Sequence, residues 1–139
     1  MNKLLLILLA TSFLTACEDK KLYEQAVLEQ MEKEQDIKDY KIDPTYIAKC
    51  VVDTSSPNMP GAFGLDPKRM LAYRNYAKML NLHKSADPKK TLEELRKDFG
   101  DAKGLSEARA NYDESFLNCY TAVISETEVP KKESAPAKP

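Results

Sequence analysis

Three Asp-Pro pairs occur in the middle of this 139-residue chain, and they constrain its fold more than any other feature of the sequence. They are Asp43-Pro44, Asp66-Pro67 and Asp87-Pro88. An Asp that precedes a helix accepts a hydrogen bond from an otherwise unpaired backbone N–H of the first turn, and a Pro in that turn has no N–H to leave unpaired. Each pair therefore predicts the start of a helix.

Apolar side chains recur every three to four residues after each pair, as they do along the buried face of a helix. The spacing is clearest for Met70, Tyr73, Ala77 and Leu80 after the second pair. A last helix is predicted from about Ser106. No stretch of sequence alternates polar and apolar residues for long enough to predict a strand. The fold class predicted is all-α, a small bundle of four to five short helices.

The first residues have the layout of a leader for export. Lys3 precedes an apolar run from Leu4 to Leu14, which is too short to cross a bilayer about 30 Å thick. The run ends in Leu14-Thr15-Ala16-Cys17, which resembles the lipobox of bacterial lipoproteins. The resemblance implies that residues 1–16 are a signal peptide that is removed. It also implies that Cys17 is linked to diacylglycerol and that the new amino terminus is acylated.

The same resemblance implies a location in the bacterial cell envelope, facing the periplasm. Acyl chains on Cys17 would hold the domain on a membrane without a transmembrane helix, at about 0.8 kcal/mol per buried methylene. In enterobacterial lipoproteins, Asp directly after the lipid-bearing Cys favours retention in the inner membrane. This chain has Glu18 there, followed by Asp19, so the outer membrane is favoured over the inner.

Cys50 and Cys119 remain once Cys17 is assigned to the lipid. An even pair of Cys in an exported domain most simply forms a disulfide. Both lie on apolar faces of predicted helices, so the bond would join the second predicted helix to the last. Two buried thiols or a redox-active pair are the alternatives, although the pair lacks Cys-x-x-Cys spacing and a nucleophilic thiol would have only His83 as a base. His83 is expected to cap a helix end or to face solvent.

The mature chain divides by composition into three segments. Residues 17–42 are the lipidated N-terminus and a charged segment, in which Tyr23, Val27 and Met31 indicate a helix with a narrow apolar stripe. This segment either docks on the domain or serves as a spacer from the membrane. Residues 43–125 are the predicted helical domain. Residues 126–139 contain three Pro and three Lys without an apolar pattern, and they are expected to be disordered.

Composition excludes several classes of function. The 21 Lys and Arg against 22 Asp and Glu leave a net charge of −1, without the basic excess that nucleic-acid binding needs. With one His and three Cys in the chain, a zinc centre is disfavoured, because a structural zinc needs four such ligands and a catalytic zinc three. The four Gly form no phosphate-binding loop. The sequence therefore predicts no catalytic residue, no metal and no cofactor.

Two surface features are candidates for binding a partner. The loop at 53–66 is long for a helical domain; either Phe63 and Leu65 fold back as a lid on the core, or the loop is exposed and binds a partner. Residues 66–90 carry a net charge of +5, which indicates a solvated helix face or a site for anionic lipid headgroups or an acidic protein. The candidate residues in the two segments are Met59, Phe63, Leu65, Lys68, Arg69, Arg74 and Lys78.

Two functions fit these observations. The preferred one is a non-enzymatic envelope lipoprotein that binds another envelope protein as an assembly factor, a pilotin-like chaperone or an inhibitor. The likeness to pilotins is one of size and layout only. The alternative is a small-ligand carrier or small enzyme with a pocket between helices, built from Tyr73, Arg74, Tyr76 and His83. The sequence supplies no nucleophile paired with a base, which favours the first.

Overall fold

The computed structural model describes residues 18–128, with side chains described as far as residue 126. Its six α-helices are α1 at 18–31, α2 at Gln35–Asp39, α3 at Pro44–Ser55, α4 at Pro67–Leu80, α5 at Pro88–Asp98 and α6 at Ala102–Glu128. Short 3-10 turns follow α3 at Ser56–Asn58 and α4 at Leu82–Lys84. No strand occurs in this part of the chain, and one disulfide links two of the helices. The predicted all-α fold with a disulfide is confirmed.

The three Asp-Pro pairs start α3, α4 and α5 as predicted. The carboxylates of Asp43 and Asp66 each accept a hydrogen bond at 2.9 Å, and that of Asp87 accepts one at 3.0 Å, in every case from a backbone N–H in the first turn. The Pro that follows each Asp occupies the first turn of its helix. These helix starts are therefore set by local chemistry that the sequence displays directly.

The helices differ from expectation in number and in length. The additional helix is α2, whose five residues bury only Ile37 and are too few to show an apolar period. The last helix starts before Ser106 and has 27 residues, so it is not short. It also continues three residues past the boundary expected at residue 125, because neither Gly nor Pro interrupts it before Glu128. The rest of the expected tail lies outside the described residues.

The charged segment at 18–42 belongs to the packed body. Tyr23, Val27 and Met31 of α1 are fully buried, and Ile37 of α2 is buried beside them. The spacer interpretation is therefore wrong, and the boundary expected at residue 43 is corrected to include α1 and α2 in the helical domain. Ala26 is buried as well, so α1 packs against the core along one face of the helix.

Contacts between α1 and its neighbours fix the direction of each helix. Near its start, Lys20 Nζ lies 3.6 Å from a carboxylate oxygen of Asp53 close to the end of α3. Near its end, the side-chain amide of Gln30 donates to the carbonyl oxygen of Leu80 at the end of α4, at 3.2 Å. Asp19 also bonds to Arg74 in the middle of α4, so α1 runs parallel to α4. The short connection at 32–43 brings the end of α1 to the start of α3, so these two helices are antiparallel.

The disulfide joins α3 to α6. The Cα atoms of Cys50 and Cys119 are 5.9 Å apart, and Cys119 is buried in the core. Further along, the side chain of Asn111 donates to the carbonyl oxygen of Ser55 at 3.1 Å, so α6 also runs antiparallel to α3. The predicted bond is present, with α3 as the third helix of the chain instead of the second.

These directions give the bundle two ends. The loop end is formed by residue 18, the end of α3, the loop at 59–66 and the start of α4. The aromatic end is formed by α2, the start of α3 and the second half of α6, where the rings of Tyr40 and Tyr120 are 6.2 Å apart. Between residues 18 and 128, no helix is both long enough and apolar enough to span a membrane.

Candidate functional site

The loop at 59–66 is held in place by the buried side chain of Arg69. Its Nε donates to the carbonyl oxygen of Pro60 at 3.0 Å and its Nη2 to that of Gly61 at 2.6 Å. Its Nη1 donates to the carbonyl oxygen of Ser56. One rigid guanidinium thus ties the loop backbone to the start of α4. Arg69 is a structural residue, which corrects its prediction as an exposed partner contact.

Two further residues fix the shape of this loop. Gly61 has a φ of +105°, and a Cβ at this position would lie 2.7 Å from the backbone nitrogen of Arg69. Asp66 accepts hydrogen bonds from the backbone N–H groups of Ala62, at 2.8 Å, and Lys68, at 2.9 Å. These bonds lower the pKa of the Asp66 carboxyl below its usual value. The loop therefore has one defined conformation.

The fixed loop buries one of its three apolar side chains and exposes the other two. Met59 packs in the core, whereas Phe63 is 63 % exposed and Leu65 is 55 % exposed. Phe63 and Leu65 do not fold back on the core, so the lid interpretation is wrong. The burial of Met59 corrects its prediction as a partner contact. Phe63 and Leu65 remain available for binding.

The basic segment does not form a single cationic site. Arg74 Nε lies 2.7 Å from Oδ1 of Asp19, and Lys78 Nζ lies 2.9 Å from Oδ2 of Asp98. These hydrogen bonds raise the pKa of Arg74 and of Lys78 above their usual values. Both cations are therefore engaged within the domain, and of the predicted candidates only Lys68 lies beside the exposed loop as an exposed cation.

The residues considered for a pocket between helices are not brought together. Tyr73 and Tyr76 are buried, with their ring centroids 6.0 Å and 5.5 Å from that of Tyr23. His83 follows the end of α4, where its Nδ1–H donates to the carbonyl oxygen of Leu80 at 3.1 Å. It caps a helix end, as expected. Arg74 is exposed and paired on the surface.

Polar side chains that are buried in the core form hydrogen bonds with one another. The hydroxyl groups of Tyr23 and Ser55 are 2.8 Å apart, and the Tyr76 hydroxyl accepts a hydrogen bond from Asn111 at 3.0 Å. Burial raises the pKa of Tyr23 and of Tyr76, so both phenols keep their protons. Among the described residues, no group of three or more His, Cys, Asp or Glu is placed to hold a metal ion.

An open groove of about 480 Å³ runs between α1 and α3. Its walls are Lys20, Lys21, Glu24, Gln25, Leu28, Thr45, Ala48, Lys49 and Asp53. Lys20 is paired across the groove with Asp53 and along α1 with Glu24. Because charges of both signs line the groove and pair with each other, it does not specify the chemistry of a ligand.

The aromatic end carries an exposed surface that the sequence pattern did not single out. Tyr40 is 59 % exposed and its ring meets that of Tyr120 edge-on, while the ring of Phe116 lies 6.0 Å from that of Tyr120. Leu117, the next residue on α6, is 60 % exposed. We call Tyr40, Phe116, Leu117 and Tyr120 the aromatic patch. Phe116 and Tyr120 follow the core spacing of α6 and are half-buried against the core, so Tyr40 and Leu117 are the fully exposed members of the patch.

Acidic side chains lie beside the aromatic patch. Partial burial, followed by the negative charges of Asp36 and Asp39 on α2, raises the pKa of the Tyr120 hydroxyl. Both carboxylates are exposed to solvent. Negative charge therefore lies near the Tyr120 hydroxyl, and the cations Lys38 and Lys41, close to Tyr40 in sequence, are exposed as well.

Comparison with known proteins adds no assignment. No protein family model, curated protein or solved structure matches the chain. The features that bear on function are therefore the chain's own: the segment at 14–17 that resembles a lipobox, the disulfide, and the exposed side chains at the two ends of the bundle.

Proposed function

We propose that this protein is a lipid-anchored component of the bacterial cell envelope that binds another envelope protein without catalysing a reaction. It acts as an assembly factor, a chaperone of the pilotin kind or an inhibitor. Cys17 carries the lipid, and the domain faces the periplasm from the outer membrane.

Three observations support the anchored location. Leu14-Thr15-Ala16-Cys17 resembles a lipobox, although these residues lie outside the part of the chain that the structure describes. Helix α1 is present from residue 18, so a packed body follows the expected attachment site directly. The disulfide between Cys50 and Cys119 suits the oxidising compartment to which a lipoprotein is exported.

The aromatic patch is the observation that carries the binding function. Aromatic side chains are enriched at protein interfaces, where they supply a large contact area with few rotatable bonds. Burying such a surface contributes about 25 cal/mol for each Å² of apolar area removed from water. The patch lies at the opposite end of the bundle from residue 18, so a partner in the periplasm can reach it while Cys17 is held in a membrane.

Charge beside the patch narrows the chemistry of the partner. Asp36 and Asp39 lie close to Tyr120 and are solvent-exposed. A partner segment with Lys or Arg next to apolar residues would bury the rings and pair with these carboxylates. A like-charged segment would be repelled, which gives the site selectivity.

Site-specific crosslinking in intact envelopes tests this function. A photoreactive residue placed at Leu117 is expected to capture one envelope protein, and the same residue at Glu107, an exposed position nearer the loop end of α6, is expected not to capture it. Reversal of charge by Asp36→Lys with Asp39→Lys should lower the yield at Leu117 several-fold. Equal capture from both positions, or a yield unaffected by charge reversal, would contradict the proposal.

A further inference from the structure

The expected anchor is joined to the folded body without a linker. Residue 18 begins the described part of α1 and directly follows Cys17. Asp19 is already buried and bonded to Arg74, at 2.7 Å. Asp19 follows Cys17 by two positions in the sequence, and two residues of extended chain span about 7 Å at most.

Contacts between the parallel helices α1 and α4 show which part of the domain is level with this point. The ring of Tyr23 stacks on that of Tyr73, and Gln30 bonds to the carbonyl of Leu80; both pairs are separated by 50 residues. The pair of Asp19 and Arg74 is separated by 55 residues, so these offsets place residue 18 level with residues 68–73, in the first two turns of α4. The loop at 59–66 enters α4 there, so the exposed loop and the expected anchor occupy the same end of the bundle.

We propose that the loop end is seated in the headgroup region of the bilayer that holds the Cys17 lipid, with Phe63 and Leu65 inserted among the lipid chains. This inference rests on the proposed function, because the bilayer reaches this surface through the anchor on Cys17. The acyl chains of the anchor lie in one leaflet, and a body with no linker is held against the headgroups of that leaflet. Side chains that are exposed at the loop end then move from water into the lipid.

The loop backbone is already ordered in the conformation that exposes these two side chains. Arg69 holds the carbonyls on one side of the loop, and Asp66 bonds the N–H of Ala62 on the other. Phe63 and Leu65 are therefore exposed in a fixed conformation, so insertion does not have to order the loop backbone. Aromatic and Leu side chains are favoured at this depth of a bilayer.

Electrostatic attraction between the loop end and the lipid headgroups does not account for the proposed position of the loop end in the bilayer. Lys20, Lys21 and Lys68 are offset by acidic neighbours that include Glu18 and Asp53. Apolar insertion is therefore the main contribution, and it should persist at high salt concentration, where attraction between surface charges is screened. The aromatic patch then points away from the bilayer into the periplasm.

The chain has no Trp, so one introduced Trp reports on one position. Phe63→Trp and Tyr40→Trp form a matched pair, because the native side chains are 63 % and 59 % exposed and lie at opposite ends. The full-length lipidated protein is reconstituted in phosphatidylethanolamine and phosphatidylglycerol vesicles whose acyl chains are brominated near the headgroup. The Phe63→Trp emission should shift to shorter wavelength and lose about half or more of its intensity. The Tyr40→Trp emission should be unchanged.

Equal quenching of both variants, or quenching of neither, overturns the inference. A protein partner at Phe63 instead of a bilayer would leave the Phe63→Trp emission unquenched in these protein-free vesicles. Should Phe63→Trp fail to fold, Leu65→Trp tests the same surface. The mass of the Cys17 peptide is measured in the same samples. Missing lipid there overturns the proposed function together with the inference, whereas lipid on Cys17 with unquenched emission overturns the inference alone.

Discussion

Asp19 and Arg74 join the first turn of α1 to α4 through a carboxylate oxygen and a guanidinium nitrogen that are 2.7 Å apart. Asp19 is buried although its partner remains exposed. A buried carboxylate without a partner would lose its hydration and form no hydrogen bond or ion pair to compensate for that loss. The pair therefore explains why the body is ordered so soon after the expected lipid on Cys17.

Removal of the Arg74 guanidinium should destabilise the domain modestly. We expect Arg74→Met to lower the free energy of unfolding by about 1 kcal/mol, because Asp19 then stays buried without its partner. The loss is small because Arg74 is exposed, and solvent already weakens the ion pair in the wild type. Arg96→Met is the control, since Arg96 and Glu93 form a pair in which both side chains are exposed. Urea unfolding with a double-mutant cycle on Asp19 measures the coupling, and equal effects in the two pairs would contradict the expectation.

The loop conformation should depend on Gly61 and not on Gly64. We expect Gly61→Ala to cost about 2 kcal/mol, because the position has a positive φ and its new Cβ would collide with the backbone of Arg69. Gly64→Ala meets nothing within 4 Å and should change stability by less than about 0.5 kcal/mol. Chemical unfolding followed by circular dichroism compares the two variants. Similar losses in both would show that the loop is not fixed as described.

The disulfide should contribute a large share of the stability. Cys50→Ser with Cys119→Ser is expected to lower the free energy of unfolding by about 2–5 kcal/mol, because the unfolded chain loses a long covalent loop and the core gains polar groups. Digestion of the non-reduced wild-type protein should yield the two Cys peptides as one linked species. Free thiols at both positions in envelope-purified protein would contradict the pairing of α3 with α6.

Asp66 should make the stability depend on pH in the acidic range. Its pKa is lower in the folded state, so its contribution is fully present above the unfolded value of about 3.9 and is lost as the pH falls through the folded value. We expect the difference in Tm between the wild type and Asp66→Ala to be constant from neutral pH down to about 4 and to shrink below it. A difference that grows on acidification would contradict the role of the carboxylate.

Features fixed by neighbouring residues could be predicted from the sequence. The starts of α3, α4 and α5 depend on an Asp and the Pro that follows it, and both are visible in the chain. The disulfide was also predictable, since Cys50 and Cys119 fall on apolar helix faces. These features need no knowledge of the tertiary arrangement beyond the presence of a core.

The candidate surfaces depend on contacts between distant residues, which the sequence does not display. Arg69 resembles a surface cation until its guanidinium is seen to bind the carbonyls of the preceding loop, and that contact separates buried Met59 from exposed Phe63. The aromatic patch was missed because Tyr40 and Tyr120 meet through the packing of α2, which is too short to predict from periodicity.

The central claim is that the chain is a lipoprotein anchored through Cys17, and the mass of the mature protein tests it most directly. Full-length protein is purified from bacterial envelopes in detergent, and its N-terminal peptide is measured beside that of a Cys17→Ser variant. We predict a mature chain that begins at Cys17 and carries diacylglycerol on the thiol, and a variant that is neither lipidated nor cleaved at this position. A wild-type chain that still begins at Met1, or a Cys17 with no lipid mass, would contradict the claim.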